Sequence, residues 1–525
     1  MVEGTISRSD LDTEECYLPT RLIHVGGEQH EPRLVVSRMH LPFLLENDGC
    51  NARYIALSYS WGSRTEAEQQ LKTTMDSFKS YMQRIPIEAL PQTLLDALLV
   101  CRALGVQYLW VDALCIIQGD KSDWERESAN MGNVYSHSFL TICAAQGDSC
   151  QSGFLKRHPP SQLEIPFHSS LDPSVSGRYS LRQDSRLHCS SFYNTCTPGL
   201  PFAVDIRYSS WNSRAWTFQE VKLSPRALLF GTYMTHLCAA NIYEPEDGER
   251  QLFSRVMGPS LTNNDYSHSM TRSEAYSDWY SLVELYTARS LTYHDDILVA
   301  ISAVAKRFFT NLSGKYLAGL WEEDLHNGLL WVNTDCDGEK SDMKTAYTAP
   351  SWSWACQPCP VTFYKSQSKR GVIEKATVLT AETSFTIDPY GQVTDGFVSL
   401  SAKAYKISST RHWTIHVNHK PLFRHGSNGD LSSDVTLWLP LASGEGGYKA
   451  HVRFDRNYIL EEHLISQMSI VLICSDGWDK MLGLLVLPSA TRDEYTRAGL
   501  FMSEDFIFGG AKFWDNVETT TIKLV

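Results

Sequence analysis

The distribution of apolar and polar residues predicts strands that alternate with helices between residues 54 and 145. The strand-like runs are residues 54–60, 108–117 and 139–145, and the helical stretches are residues 65–83, 91–105 and 123–135. Pro91 stands where the second helix begins and Gly105 where it ends, and Asp123 is positioned to cap the third helix, in which Trp124 and Met131 share one face. This alternation is typical of an α/β domain with a parallel sheet.

The remaining sequence predicts several further regions. Periodicity is lost after residue 145 and returns at Trp211 with a helix and a strand at residues 227–230, whereas residues 275–331 have helical spacing. After residue 355, short apolar runs alternate with turn-forming residues, which favours antiparallel strands. We therefore expect an N-terminal extension (1–50), an α/β domain (51–240) with an irregular insertion (146–210), a loop and helical connector (241–350) and a β-rich C-terminal domain (351–525).

Composition and charge restrict the classes of function. Of 525 residues, 43% are hydrophobic and 20% charged, which is typical of a globular chain. The excess of 60 acidic over 47 basic residues gives a net charge of −13, which argues against nucleic-acid binding but permits a local site for a small anion. Arg102 and Asp112 interrupt the longest apolar stretch, so we expect no membrane span and a cytoplasmic protein.

The cysteines predict neither a disulfide scaffold nor a metal site. Thirteen cysteines are scattered along the chain, which is typical of reduced thiols in a cytosolic or nuclear protein. Cys356 and Cys359 form a lone CxxC pair, and without a second pair at zinc-like spacing we interpret it as a loop.

Three sequence blocks occur in a fixed order along the first half of the chain. They are residues 54–62 (YIALSYSWG), 109–118 (LWVDALCIIQ) and 211–220 (WNSRAWTFQE). Together they resemble the heterokaryon incompatibility (HET) domain of filamentous fungi over about residues 50–230. Ile117 stands where such domains usually have Asn, which weakens a ligand-binding role for residues 115–118, and Ala215 stands where they usually have Gly.

The resemblance implies a role in non-self recognition and regulated cell death. HET domains have been considered distant relatives of Toll/interleukin-receptor (TIR) domains, which implies an α/β fold with a TIR-like or flavodoxin-like parallel sheet. The Trp216-x-x-x-Glu220 spacing resembles the segment in which NAD-cleaving TIR domains place their catalytic glutamate. The resemblance therefore implies an NAD glycohydrolase, with NAD as substrate rather than as a bound cofactor, and self-association or an incompatibility partner protein.

Two carboxylates are the candidate catalytic groups. Glu220 would stabilise an oxocarbenium-like transition state as nicotinamide leaves, and Asp112, at the end of an apolar strand, would orient a ribose. The candidate substrate-binding residues are Tyr59, Trp61, Cys115, Gln118, Arg214 and Trp216. The alternatives are that Glu220 is a surface or helix-capping carboxylate, that Asp112 caps a turn, that the tryptophans pack in the core and that Cys115 is a small buried hydrophobe.

Two other classes of function stay open at the level of sequence. The second hypothesis is a non-enzymatic signalling module in which the domain recruits partners through surface contacts. Alternatively, the chain is a small-molecule pathway enzyme of secondary metabolism that binds an apolar metabolite between its domains.

Overall fold

The structure is a computed structural model that divides the chain into two compact units, residues 1–264 and 265–525. The residues that it describes are 17–27, 30–39, 53–156, 162–172, 174–182, 203–239, 242–246, 251–252, 261, 271–312, 314–334, 347–365, 372–407, 413–415, 435–440, 447–455, 462–476, 480–503 and 510–525.

The first unit contains a mixed sheet with helices between its central strands. Its strands are β1 (Arg21–His24), β2 (Arg33–Val36), β3 (Tyr54–Ser58), β4 (Tyr108–Trp110), β5 (Leu140–Cys143), β6 (Gln162–His168), β7 (Ser176–Arg182), β8 (Arg226–Phe230), β9 (Thr235–Ala239), β10 (Ile242–Pro245) and β11 (Gln251–Leu252). Its α-helices are α1 (Arg64–Gln69), α2 (Phe78–Tyr81), α3 (Gln92–Ala103), α4 (Asp112–Cys115), α5 (Lys121–Ser136) and α6 (Trp216–Leu223).

Four parallel strands form the centre of this sheet. The order of the nine described strands is β11-β10-β9-β8-β5-β3-β4-β1-β2, and β3 is parallel to both β4 and β5, as β5 is to β8. Numbered along the chain, the parallel strands have the order 2-1-3-4, which is the flavodoxin-like arrangement. The connections therefore change direction between β3 and β5. Open α/β sheets bind ligands at such a switch point, beyond the carboxyl ends of the strands.

Burial on both faces explains the composition of the central strands. All five residues of β3 are buried, as are the four of β5, so both strands are nearly continuous apolar runs. Between β3 and β4, α3 follows Pro91, its N-cap, and buries Leu94, Leu98 and Cys101. These residues confirm the predicted strand, helix and parallel sheet.

The N-terminal segment contributes to the same sheet. β1 pairs antiparallel with β2 and with β4, with Ile23 opposite Leu109. Arg21 of β1 lies below the carboxyl-end loops: its Nη2 is 2.5 Å from Asp123 Oδ2, and its Nε donates to the Cys115 carbonyl oxygen. Residues 21–36 thus complete the sheet, although they precede the expected α/β domain.

Two predicted elements have different bounds in the structure. The strand predicted for residues 108–117 ends at Trp110, because Asp112 begins the single helical turn of α4. The helix predicted for residues 65–83 is interrupted after Gln69. Thr73 N donates to the Ala113 carbonyl oxygen at 3.0 Å, and this pairing requires an extended backbone there.

Two local predictions were wrong. Asp120 caps α5 by accepting from the backbone N–H of Ser122 and Asp123, whereas Asp123 itself binds Arg21 inside the protein. Trp124 is exposed, so it does not share the buried face of Met131.

The insertion that was predicted to be irregular contains regular structure, because β6 and β7 form an antiparallel hairpin with Ile165 opposite Tyr179.

The second unit combines helices with a large, mostly antiparallel sheet. Its α-helices are α7 (Arg272–Thr287), α8 (Ser302–Leu312), α9 (Leu325–Gly328), α10 (Glu462–Ile465) and α11 (Gly510–Asp515). Its strands are β12 (Tyr316–Leu317), β13 (Leu320–Trp321), β14 (Trp331–Asn333), β15 (Val361–Phe363), β16 (Val372–Glu374), β17 (Thr377–Phe385), β18 (Val393–Lys406), β19 (Trp413–Ile415), β20 (Val435–Pro440), β21 (Gly447–Phe454), β22 (Ser469–Asp476), β23 (Met481–Pro488), β24 (Glu494–Ser503) and β25 (Thr519–Leu524). The predicted β-rich C-terminal region is confirmed.

A tryptophan cluster joins the helices of this unit to its first strands. The indole N–H groups of Trp279 and Trp354 both donate to the Gly319 carbonyl oxygen, at 2.9 and 3.0 Å. Gly319 has φ +96°, and a Cβ atom there would lie 2.5 Å from Trp354 Nε1, so only glycine fits. Among the residues that the structure describes, no helix combines the length and apolar character needed to cross a bilayer.

Candidate functional site

A buried hydrogen-bonded cluster lies at the carboxyl end of β3. Ser58 is the last residue of β3 and pairs in register with Cys143, the last residue of β5. The Ser58 hydroxyl donates to Glu220 Oε2 and accepts from the Trp211 indole N–H at 2.7 Å. Because β3 and β5 flank the switch point of the sheet, Glu220 lies at the place where this topology binds ligands.

Glu220 and the serine that binds it are both shielded from solvent. Its side chain is 7% exposed and that of Ser58 is 1% exposed. Burial raises the pKa of the neighbouring Cys143 thiol well above its usual value, and the Glu220 charge adds to the shift. Cys143 is thus a neutral thiol packed beside a carboxylate, and it cannot act as a nucleophile.

A second cluster surrounds Asp112 at the end of β4. Asp112 Oδ2 accepts from the Trp61 indole N–H at 2.9 Å, and its Oδ1 accepts from the backbone N–H of Ala113 at 2.7 Å. The Tyr59 hydroxyl lies near the same carboxyl group. Arg214 donates to the Tyr59 carbonyl oxygen at 2.5 Å, which places its positive charge near the carboxylate.

Burial dominates the electrostatics of this second cluster. It raises the pKa of Asp112, and Arg214, the backbone N–H of Ala113 and Trp61 only partly oppose this effect. Burial and the nearby Asp112 charge likewise raise the pKa of Tyr59 well above its ordinary value, so Tyr59 is a neutral hydroxyl at any physiological pH. Asp112 binds Trp61 and is the first residue of the α4 turn, which has no side-chain cap.

Tyr135 of α5 connects the two clusters. Its hydroxyl donates to the Leu57 carbonyl oxygen at 3.3 Å. Burial raises its pKa well above the ordinary value, with further contributions from the charges of Glu220 and then Asp112. Both carboxylates therefore act on the same phenol, and the two clusters occupy one edge of the sheet.

The other candidate residues lie on the loops around this edge. Gln118 Nε2 donates to the carbonyl oxygens of Asp112 and Ile116, both at 3.2 Å, so its amide closes the α4 turn. Cys115 is buried, and burial raises its pKa to about 12, which leaves an unreactive thiol. Trp216 is the first residue of α6, is partly exposed and lies one helical turn before Glu220.

The structure adds several residues that the sequence did not single out as site residues. Ser58 binds Glu220, and Trp211 donates to Ser58. Tyr135 lies within the electrostatic influence of both carboxylates, and Gln70 accepts from the Tyr59 hydroxyl at 2.9 Å. The only sequence signal for Ser58 is its place as a polar residue at the end of a buried strand. The contacts of Trp211 and Gln70 depend on tertiary packing and have no local signature.

The described residues contain no group of three or more His, Cys, Asp or Glu side chains arranged to hold a metal ion. Cys359 is disulfide-bonded whereas Cys356 is a reduced thiol, so the two CxxC residues are not bonded to each other. The expectation that all thiols are reduced is therefore wrong for Cys359.

Two cations lie near the candidate carboxylates and could bind an anionic group. They are Arg214, which donates to the Tyr59 carbonyl oxygen, and Lys72, whose Nζ lies 5.2 Å from the centre of the Trp61 ring.

Comparison with known families identifies the segment that carries both clusters. The model of the family described as "Heterokaryon incompatibility protein (HET)" matches residues 54–220, which run from the start of β3 to Glu220. Residues 54–220 are therefore a heterokaryon incompatibility domain, as the three sequence blocks predict. No curated protein matches the chain, and no solved structure matches it.

Proposed function

We propose that this chain acts in non-self recognition and regulated cell death by cleaving the bond between nicotinamide and ribose in NAD, with Glu220 as the catalytic carboxylate. The single observation that carries the proposal is the position of Glu220. It is a buried carboxylate at the switch point of a 2-1-3-4 parallel sheet, oriented by the Ser58 hydroxyl. Its HET domain supports a general role in heterokaryon incompatibility.

The reaction consumes one water for each NAD. The bond between ribose C1′ and the pyridinium nitrogen breaks, and its electron pair stays on nicotinamide. Positive charge develops on C1′ and the ring oxygen, and a water then adds to C1′ and releases a proton, so the products are nicotinamide and ADP-ribose. A carboxylate beside C1′ stabilises the developing charge, as in glycoside hydrolysis.

The neighbours of Glu220 suit this role. The Ser58 hydroxyl holds the carboxylate in one orientation, and Trp211 in turn fixes the hydroxyl by donating to it. In an apolar surrounding, a fixed charge interacts more strongly with a transition state than it does in water. Trp216, one turn earlier on α6 and partly exposed, supplies an aromatic face for the nicotinamide or adenine ring.

The test is nicotinamide release from NAD, measured over a wide range of protein concentrations because TIR-like enzymes often require self-association. Glu220→Gln removes the charge and nearly preserves the shape, and we expect a loss of about 100-fold or more in turnover, the usual effect of removing one electrostatic catalytic group. Glu88→Gln, an exposed carboxylate on the turn before α3, is the matched control. Absence of turnover at every concentration, together with unchanged cell toxicity of Glu220→Gln, would overturn the proposal.

A second candidate is a recruitment module without catalysis. The Ser58–Glu220 hydrogen bond joins β3 to α6 and is compatible with a purely structural carboxylate. In addition, α3 exposes Leu99 by 52% and Leu104 by 37%, two apolar side chains suited to a partner or to a second copy. Toxicity that survives Glu220→Gln but is lost on Leu99→Glu would favour this candidate over the enzyme.

A further inference from the structure

A buried amide donor next to the Asp112 cluster is not used by the protein. Gln70 is 4% exposed, and its Oε1 accepts from the Tyr59 hydroxyl at 2.9 Å. Its Nε2 is buried and has no hydrogen-bond partner among the described residues. Buried polar groups are almost always hydrogen-bonded, so an unpaired amide N–H at this edge of the sheet indicates a missing acceptor.

A hydrogen-bond acceptor, the Asp112 carboxyl group, lies near this amide donor. The Tyr59 hydroxyl donates to Gln70 Oε1 and lies near the Asp112 carboxyl group, whose charge raises the pKa of Tyr59. One hydroxyl thus brings together an unpaired N–H donor and a group with acceptor oxygens. A ligand that spans both would present an acceptor to Gln70 and an N–H donor to Asp112, which is the pattern of a primary carboxamide.

The two side chains are held at a fixed separation. Thr73 Oγ1 donates to the Leu114 carbonyl oxygen at 2.7 Å, and the Gln118 backbone N–H donates to the Thr73 carbonyl oxygen at 2.7 Å. These bonds tie the segment after Gln70 to the α4 turn that carries Asp112. Fixed donors and acceptors recognise a ligand with a small loss of conformational entropy.

We propose that Gln70 and Asp112 form a carboxamide subsite that recognises the nicotinamide group of a pyridine dinucleotide. Gln70 Nε2 donates to the carboxamide oxygen, Asp112 accepts from the carboxamide nitrogen, and the partly exposed Trp61 indole covers the pyridine ring. This inference rests on the proposed function, because it assigns the ring-binding part of the same site.

The subsite distinguishes nicotinamide from nicotinic acid. A carboxylate in place of the carboxamide accepts from Gln70 but has no N–H to donate to Asp112. It also places a negative charge next to the Asp112 oxygens, and the hydrogen bond from the carboxamide nitrogen to Asp112 is lost. Selectivity for the amide over the acid is therefore the signature of this pair, separate from the chemistry at Glu220.

The experiment measures binding by titration calorimetry, with NAD and nicotinic acid adenine dinucleotide as the two probes. All variants carry Glu220→Gln, so that NAD is not consumed. We expect the parent to bind NAD about tenfold or more tightly than the acid analogue, a difference of about 1.4 kcal/mol. Gln70→Leu should weaken NAD binding about tenfold, whereas Gln69→Leu, the exposed neighbour of the same type, should leave it unchanged.

Asp112→Asn is a second variant, which keeps the test valid even if Gln70→Leu does not fold. It should bring the affinities for the two dinucleotides within about threefold of each other, because the amide side chain can donate to the carboxylate. Equal affinity of the parent for both probes, absence of binding to both, or equal effects of Gln69→Leu and Gln70→Leu would overturn the subsite. Selective binding by these variants, together with no nicotinamide release by the protein that retains Glu220, would overturn only the catalytic proposal.

Discussion

Ser58 donates its hydroxyl hydrogen to Glu220 across 162 positions of the chain, so the last residue of a central strand is joined to the middle of α6. Trp211 uses the same hydroxyl as its acceptor. A single serine therefore satisfies a buried carboxylate and a buried indole at once.

Removing this hydroxyl should destabilise the first unit. Ser58→Ala leaves the Glu220 carboxylate without one donor and the Trp211 indole without its acceptor, and we expect a loss of about 2–3 kcal/mol in the free energy of unfolding. Urea denaturation measures the loss. The control is Ser210→Ala, an exposed serine beside Trp211, which should change stability by less than about 0.5 kcal/mol. Equal losses in the two variants would show that the hydroxyl carries no such role.

Asp112 should make stability depend on pH. Burial, the main cause, raises its pKa in the folded state above the ordinary value of 3.8. Below pH 3.8 it is protonated in both states, and between 3.8 and the higher folded-state pKa the folded state holds more protons. The stability contributed by Asp112 is therefore full at low pH and is lost as pH rises through that window, by at most about 1.4 kcal/mol per pH unit.

Comparison with Asp112→Asn isolates this effect, because the variant cannot titrate at that position. Denaturation curves collected from pH 4 upward should show the wild-type protein losing stability relative to the variant as pH rises. A constant difference across the range would mean that burial does not shift the pKa of Asp112.

Arg21 should be one of the most sensitive charged residues in the first unit. Its guanidinium lies 2.5 Å from Asp123 and 3.5 Å from Glu127, and all three side chains are almost completely buried. Arg21→Met leaves two carboxylates without their buried cation, and we expect a loss of about 3–5 kcal/mol in the free energy of unfolding.

The matched control is Arg64→Met, which breaks the exposed pair of Arg64 with Glu68 at 2.9 Å. Exposed pairs contribute about 1 kcal/mol or less. Guanidinium chloride would screen both pairs, so urea denaturation is the appropriate measurement. A small loss for Arg21→Met would contradict a structural role for the buried pair.

The thiols of the described residues should differ sharply in reactivity. Burial raises the pKa of Cys101, Cys115 and Cys238 to about 12, which leaves almost no thiolate at pH 8. Cys356 is a partly exposed, reduced thiol. Mass spectrometry after iodoacetamide treatment should find Cys356 labelled first and these three only after denaturation. Early labelling of Cys115 would instead indicate that the α4 turn opens readily.

Local sequence predicted secondary structure correctly where the determining interactions lie within one helix or strand. The apolar run of β3 and the Pro91 start of α3 predict their elements, because burial of a strand on both faces and the restrictions of proline act within a few residues. Local sequence did not predict the backbone conformation correctly at residues 70–74 and 108–117. There, pairing of Thr73 with the α4 turn determines the backbone, and the partner lies about 40 residues away.

The sequence by itself determined the heterokaryon incompatibility domain, the parallel α/β character of the first unit, the β-rich character of the C-terminal region and the two carboxylates worth testing. Only the tertiary structure decided which groups meet: Ser58 with Glu220, Tyr59 with Gln70, and Arg21 with Asp123. Motifs and hydrophobic periodicity report on neighbours within a helix or strand. Buried hydrogen bonds and ion pairs depend instead on strand order and on loops that bring distant segments to the same edge of the sheet.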